Sequence, residues 1–384
     1  MDVFTIDNQL QLNVDTGPLR HTVLAGLDYH RVLQDTYTGQ SYLGAQIRRQ
    51  NLFSPVYQGQ NTRWPGFSSY SSQRQNQLGA YLQDQVRIDR LVLLFGGRLD
   101  WSDSTNEGTN LVNGRRTNSR ATDHAFTGRA GAVYLFDNGF APYVSYSESF
   151  EPQSGTDARG NQFEPTRGRQ HEVGLRYQPP GTNLLLSVAA FDLVRQNVLS
   201  ADPANFGFSV QSGETTTRGI ELEAKATLAQ GLRLTAAYAY QEAEFSSTSN
   251  TSTVDFGFSP ARTGPTVALE GKTPTGIPRH NASAWLDYTA PEGRLMGLGL
   301  GGGVRYLGSS FGDDANTFKV DSATLFDAAL RYDLGQLGRN LEGMQAAVNI
   351  QNLADTRYVA SCYSYACCWY GYGRTVTGSI RYRF

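Results

Sequence analysis

The 384-residue chain has no run of about 18 or more consecutive apolar residues, so no transmembrane helix is encoded. Its longest strongly apolar stretch is the five residues Leu91–Phe95. A chain without such a run still crosses a membrane if it closes a β-barrel, because every backbone group is then paired within the sheet. Residues 1–25 show no succession of basic, apolar and small residues, so no signal peptide is visible. Cysteine is confined to Cys362, Cys367 and Cys368, and none of the five histidines lies near them. Those ligands are too few for a zinc site, and one local disulfide in an oxidising compartment is the better reading. Charge of one sign is also lacking: 33 Lys+Arg against 35 Asp+Glu leaves a net charge of −2. That balance excludes the strongly basic face on which nucleic-acid binding depends. Hydrophobic residues, at 39%, fall below the globular norm of about 45–50%.

What is present is glycine and aromatic residues: 41 Gly, 21 Tyr and 19 Phe. Many segments alternate with period two, the mark of strands wet on one face and apolar on the other. Val376, Gly378, Ile380, Tyr382 and Phe384 oppose Thr375, Thr377, Ser379, Arg381 and Arg383. Ile220, Leu222, Ala224, Ala226 and Leu228 oppose Glu221, Glu223, Lys225 and Thr227. Phe326, Ala328, Leu330 and Tyr332 alternate less cleanly, because Leu325 and Ala329 join the polar side of Asp327 and Arg331.

This periodicity predicts fifteen strands, near 3–14, 19–37, 73–87, 91–104, 122–136, 140–150, 168–178, 183–196, 208–228, 232–245, 278–290, 295–307, 321–333, 343–352 and 372–384. Tight turns at 15–18, 88–90, 137–139, 179–182, 229–231, 291–294 and 334–342 alternate with long polar loops at 38–72, 105–121, 151–167, 197–207, 246–277, 308–320 and 353–371. Short connections on one side and long ones on the other define an all-β, antiparallel transmembrane barrel, with periplasmic turns and extracellular loops. Single-chain bacterial barrels have even strand counts. The odd count therefore predicts that earlier strands precede this segment; if the complete barrel is of the plugged transporter type, with about 22 strands, seven of them are missing here. Residues 1–384 are expected to be the C-terminal part of that barrel.

Catalytic and cofactor motifs do not assemble. The glycines from Gly297 to Gly302 match G-x-G-x-x-G but lie within a strand, whereas a dinucleotide site needs a helix after them. Gly271-Lys272-Thr273 lacks the earlier glycine of a phosphate loop, since Thr266 stands there. His21, His30, His124, His171 and His280 are scattered. Asp313-Asp314 could touch calcium, but a solvated loop tip is the plainer reading. Glu221, Glu223, Lys225, Arg305, Asp327, Arg331, Arg381 and Arg383 belong to a wet inner face.

Several segments resemble TonB-dependent siderophore receptors. They are Tyr143-Val-Ser-Tyr-Ser-Glu-Ser-Phe-Glu-Pro152, Phe163-Glu-Pro165 with Gln170-His-Glu-Val-Gly174, Gln211-Ser-Gly-Glu214 with Arg218-Gly-Ile-Glu-Leu-Glu223, Arg305-Tyr-Leu-Gly-Ser-Ser310, Asn349-Ile-Gln-Asn-Leu353 with Asp355 and Tyr358, and Arg374-Thr-Val376. Within that family the last loop, Tyr358-Val-Ala-Ser-Cys362 through Cys368 to Arg374, is similar to ferrichrome and hydroxamate-siderophore receptors. The resemblance implies a Cys362–Cys368 disulfide, with Cys367 a departure from the pattern. It implies a ligand contact at Tyr363, the residue after the first cysteine. Other aromatic candidates on the long loops are Phe53, Tyr57, Trp64, Phe67, Tyr365, Trp369 and Tyr370, each of which could instead serve membrane-interface or loop packing.

The family also implies function. A ferric siderophore binds the loops and a plug, and TonB with ExbB/ExbD supplies the energy for uptake. No resident cofactor is implied, since iron arrives already chelated. The implied surroundings are outer-membrane lipid and lipopolysaccharide, with no nucleic acid. Two other readings are a passive porin or structural barrel, which needs an even strand count, and a barrel enzyme, which needs a Ser/His or Asp/His cluster at the rim.

Overall fold

The computed structural model describes residues 1–39, 66–202, 208–248, 251–255, 263–364 and 367–383. Fifteen strands form one antiparallel sheet: β1 (Asp2–Thr16), β2 (Leu19–Thr38), β3 (Ser69–Ile88), β4 (Leu91–Asn110), β5 (Arg116–Tyr134), β6 (Phe140–Glu151), β7 (Thr166–Tyr177), β8 (Leu184–Ala201), β9 (Ser209–Ala229), β10 (Leu232–Ser247), β13 (His280–Thr289), β14 (Leu298–Leu307), β17 (Ala323–Asp333), β18 (Met344–Gln351) and β21 (Thr375–Tyr382). Each pairs with the next in this order, so the sheet is an uninterrupted meander. Three hairpins stand apart from it: β11 (Thr251–Asp255) with β12 (Thr263–Ala268), β15 (Ser310–Phe311) with β16 (Lys319–Val320), and β19 (Val359–Ser364) with β20 (Cys367–Tyr370). The described residues contain no α-helix, only three short 3-10 turns.

All fifteen predicted strands are present. Two expectations about the connections are corrected. The loop expected over 105–121 is mostly strand, since β4 and β5 stay paired up to Thr109 opposite Arg116. Both faces of a hairpin that rises into water are polar, so alternation vanishes while the backbone ladder continues. The long connections expected as plain polar loops at 246–277, 308–320 and 353–371 carry the three extra hairpins, whose strands are too short to show a period.

Register sorts the side chains. The chain Leu10, Ala25, Leu82 and Gly97 shares one face across four strands, as do Ile220, Ala190 and Tyr240 across three others. On β7 the residues of this face, Arg167, Arg169, His171 and Val173, are the exposed ones, and those between them are half-buried. Apolar side chains form a band on this outward face. Toward the short turns it is bounded by Tyr134 on Phe136 and by Phe140 stacked on Tyr177, with centroids 4.7 and 4.3 Å apart. Toward the long loops it is bounded by Tyr146 against His171 and Tyr240 against His280, at 4.9 and 5.1 Å. An apolar band between aromatic girdles is the signature of a membrane barrel. Above the outer girdle stand Arg167 and Arg169, with Arg120 on Asp103 and Arg218 on Asp192 at 2.7 Å each.

One ladder is short. β5 and β6 pair only from Arg129 opposite Ser147 to Val133 opposite Tyr143. Just beyond the Arg129–Ser147 pair, the Gly128 N–H donates to the Glu148 carboxylate at 2.8 Å, which satisfies a backbone donor the ladder has released.

The inward face is polar and uses glycine as floor space. Trp285 lies across Gly301 and Gly303, where any Cβ would overlap its ring. Gly301, inside the run that mimics a nucleotide fingerprint, and Gly303 just after it thus form a slot for an aromatic side chain. Leu325, which spoils the alternation of β17, is 1% exposed on this inward face. Its register partner is Arg305, and both lie at the height where the long loops meet the sheet.

A charge on the outward band should be costly. Leu222→Arg is expected to cost about 2–4 kcal/mol at midplane depth. Its wet-side neighbour, changed as Glu223→Arg, should cost under about 1 kcal/mol. Denaturant unfolding of the full-length protein from lipid vesicles measures both.

Candidate functional site

Most of the deeply buried side chains of the described residues belong to the long-loop end. Phe245, Leu269, Ala315, Val320, Ala323, Leu325 and Cys362 are all buried. Leu269, Ala315, Val320 and Cys362 lie on the three neighbouring connections that follow β10, β14 and β18, and Phe245, Ala323 and Leu325 on the adjoining ends of β10 and β17. A wide barrel has no packed core of its own, because one face meets lipid and the other water. Here the loops build a small core instead.

Polar contacts lock these connections together. The Thr275 N–H donates to Asp314 Oδ1 at 2.8 Å, and its hydroxyl lies 3.1 Å from both the Phe311 and Cys362 carbonyl oxygens. Asn316 Nδ2 donates to the Thr273 carbonyl at 2.7 Å, and the Thr273 N–H returns a bond to Asn316 Oδ1 at 2.9 Å. Asp313 is 8% exposed and accepts the Thr317 N–H at 2.8 Å. The pair Asp313-Asp314 is therefore not a solvated tip: its oxygens close a turn and hold a neighbouring loop. Among the described residues no group of three or more His, Cys, Asp or Glu could hold a metal.

The last long connection is organised from its base. Asn352 is 2% exposed and has φ of 50°. Its N–H donates to Asp327 Oδ1 at 2.8 Å, and its Nδ2 donates to the Thr356 and Tyr372 carbonyls at 2.9 and 3.1 Å. Arg374 N–H donates to Asp355 at 2.8 Å. The Asn349–Leu353 motif with Asp355 thus fixes both feet of the hairpin. Tyr358 lies flat over Gly371, where a Cβ would overlap its ring. Cys362 pairs with Cys368 across the β19–β20 ladder, and a disulfide joins them. Cys367 is a half-buried free thiol.

Below the loops the inner wall pairs its charges. Arg98 binds Asp28 and Asp100, at 2.7 Å to the latter, and Gln77 adds a bond to Asp100 at 2.9 Å. Arg305 holds Asp327 at 2.9 Å through Nη2. Arg331 and Arg233 share Asp287, which is 6% exposed. Register puts the predicted inner-face residues Arg305, Asp327, Arg331, Glu221 and Glu223 on this wall. Arrays of mutually neutralised charge favour a wet lumen over a site for one strongly charged ligand.

The predicted aromatic residues are placed unequally. Trp369 and Tyr370 stand on β20, both more than half exposed. Tyr363 follows Cys362 within β19 and is placed by its backbone alone. Phe67 lies at the β2–β3 end of the sheet order, with its ring 5.1 Å from Tyr37. The hairpin belongs to the opposite end, between β18 and β21. Phe53, Tyr57, Trp64 and Tyr365 lie outside the described residues. Thr275, Asn316 and the Arg98 cluster were missed by sequence reasoning. Contacts between distant loops leave no period, so only the motif around Asn352 carried a readable signal.

A sheet apolar outside, charge-paired inside, with short turns at one end and interlocked loops at the other, defines an outer-membrane barrel of the receptor and transport class. The family described as TonB dependent receptor-like, beta-barrel matches residues 2–353. The chain belongs to the TonB-dependent receptor family, and its place is the bacterial outer membrane. It is 40% identical, over 99% of its length, to the ferrichrome outer membrane transporter/phage receptor of Escherichia coli K12, and covers 48% of that protein. It is 36% identical to the ferrioxamine B receptor of Salmonella typhimurium, covering 100% of this chain and 51% of the relative. Among solved structures, the ferric-catecholate import receptor Fiu of E. coli K12 superimposes with a TM-score of 0.72 at 20% identity, over 100% of this chain and 54% of Fiu. The fold is shared at that identity. The chain spans about half the length of the curated relatives it matches.

The loop junction is expected to respond to pH. Burial holds the Asp314 carboxyl above its ordinary value near 3.8, and the neighbouring Asp313 charge adds to this against the Thr275 N–H. A carboxyl with a raised pKa prefers its proton in the docked state, so docking is tightest below the ordinary value and weakens as pH rises through the raised one. Asp314→Asn keeps the acceptor oxygen and removes the charge. Amide exchange of residues 310–320 in the full-length receptor is expected to be slower in this variant than in wild type at neutral pH, and equal to it in acid.

Proposed function

We propose that this chain forms the barrel of an energised receptor that takes ferric siderophores, hydroxamates foremost, across the outer membrane. One observation carries the reading: a disulfide-closed aromatic hairpin is held rigidly by neighbouring loops at the long-loop end of a wet, charge-paired wall. A ferric hydroxamate presents an apolar, weakly charged surface around a metal whose coordination sphere is already full. Aromatic faces and a few hydrogen bonds in a concave site suit it. Tyr363, Trp369 and Tyr370 are the contacts from this hairpin, and Tyr57, Trp64, Phe67 and Tyr365 are the further candidates. Iron enters as part of the substrate, with no protein ligand and no resident cofactor.

The named relatives support the hydroxamate class, since the two compared above carry ferrichrome and ferrioxamine B in their names. Family membership supports TonB as the energy-coupling partner, together with ExbB/ExbD, acting through a plug and a contact segment outside this chain. The outward Arg167 and Arg169 above the apolar band suit the phosphates of lipopolysaccharide, while the band itself meets lipid. On this reading the protein binds and transports and is not an enzyme.

Growth of an iron-starved deletion strain, complemented with the full-length receptor, separates the alternatives. Growth on ferrichrome or ferrioxamine B that disappears without TonB is expected. Uptake that persists without TonB would show a passive porin, and growth limited to catecholates would overturn the hydroxamate assignment. Tyr363→Ala and Trp369→Ala should each weaken ferric-hydroxamate binding by about tenfold, as read by ligand titration of the purified receptor.

A further inference from the structure

Resting on the siderophore reading above, we infer that Thr275 is a positioning residue, which sets the pose of the disulfide hairpin and thereby the affinity for ligand. Thr275 lies in the connection after β12, 87 residues before Cys362 and without a place in the hairpin itself. Its hydroxyl has a single proton, which is shared between two carbonyl oxygens 3.1 Å away. One belongs to Phe311 on β15, the other to Cys362 on β19. Its N–H meanwhile binds Asp314 at 2.8 Å, and the next N–H, of Gly276, binds the Phe311 carbonyl at 3.0 Å. One residue thus joins three connections.

The point of attachment matters. The carbonyl at Cys362 is main chain, one bond from the disulfide-bearing Cα and directly before Tyr363. Because Cys362 and Cys368 are bridged across the ladder, a hold on Cys362 restrains the whole of β19 and β20 as a body. The feet of the hairpin are tied separately by Asn352 and Asp355. The feet limit where the hairpin stands, and Thr275 limits how far its body leans. Cys362 is 4% exposed, so water does not easily replace the lost donor. Aromatic contacts held on a supported element give affinity by avoiding the ordering that a loose loop must undergo on binding.

The test uses the full-length receptor and two probes, ferrichrome and ferrioxamine B. Thr275→Val removes the hydroxyl at nearly constant volume, whereas Thr275→Ser keeps it. Amide exchange over residues 359–364 is expected to quicken by about tenfold in the valine variant, and the affinity for the bound probe to fall by about tenfold, with the serine variant within about twofold of wild type in both. Unchanged exchange in Thr275→Val overturns the inference. So does faster exchange with unchanged affinity, which would make Thr275 merely structural. A wild-type receptor that binds neither probe overturns the siderophore reading itself, and that outcome is distinct from equal binding by wild type and Thr275→Val.

Discussion

Backbone hydrogen bonding in lipid is the constraint on which this structure depends. No water is available in a bilayer to satisfy an N–H or C=O, so every strand that crosses must be paired along both edges or have its loose groups met by side chains. The meander from β1 to β21 answers this for the thirteen strands between its two ends, each of which is joined to a neighbour on both sides. Where the β5–β6 ladder stops, the Glu148 carboxylate takes over the Gly128 N–H. Strand lengths, the sorting of side chains and the positions of the girdles all follow from that ladder.

A wall built this way leaves little to pack. Side chains face lipid or lumen in turn, and the hydrophobic burial that stabilises a globular domain is unavailable across most of the sheet. The described long connections respond by making their own core around Leu325, Leu269 and Cys362. That core holds the aromatic hairpin at a distance from the membrane, and the same packing that orders the loops orders a binding surface. The inner wall takes the opposite course. Arg98, Arg233, Arg305 and Arg331 are met by Asp28, Asp100, Asp287 and Asp327, so these charges are neutralised in pairs along the wall.

The fold was largely legible because period two is a local property. Ile220 to Leu228 and Val376 to Tyr382 announce their faces without reference to any partner. Legibility failed where both faces are wet, as at Thr105–Asn110, and where an inward residue is covered by loops, as at Leu325. The site was legible only in part. The Asn349–Leu353 motif and the cysteines of the last loop were visible as letters, but the work of Asn352, which ties both feet of the hairpin, was not. Thr275 and Asn316 gave no signal and Asp314 showed only as half of an acidic pair, since each acts on a residue tens of positions away.

The amino-acid sequence by itself determined the strands, their two faces, the alternation of short and long connections, and so the outer-membrane class. These depend on neighbours two residues apart, on turn chemistry and on overall polarity. Only the tertiary structure decided which loops touch, that the glycines of β14 seat Trp285, that Asp313 and Asp314 serve a loop junction, and that one threonine reaches the carbonyl of Cys362. Such contacts form when the sheet brings the connections after β10, β14 and β18 side by side. Their energies come from single hydrogen bonds and buried side chains far apart in the chain, which no local pattern records.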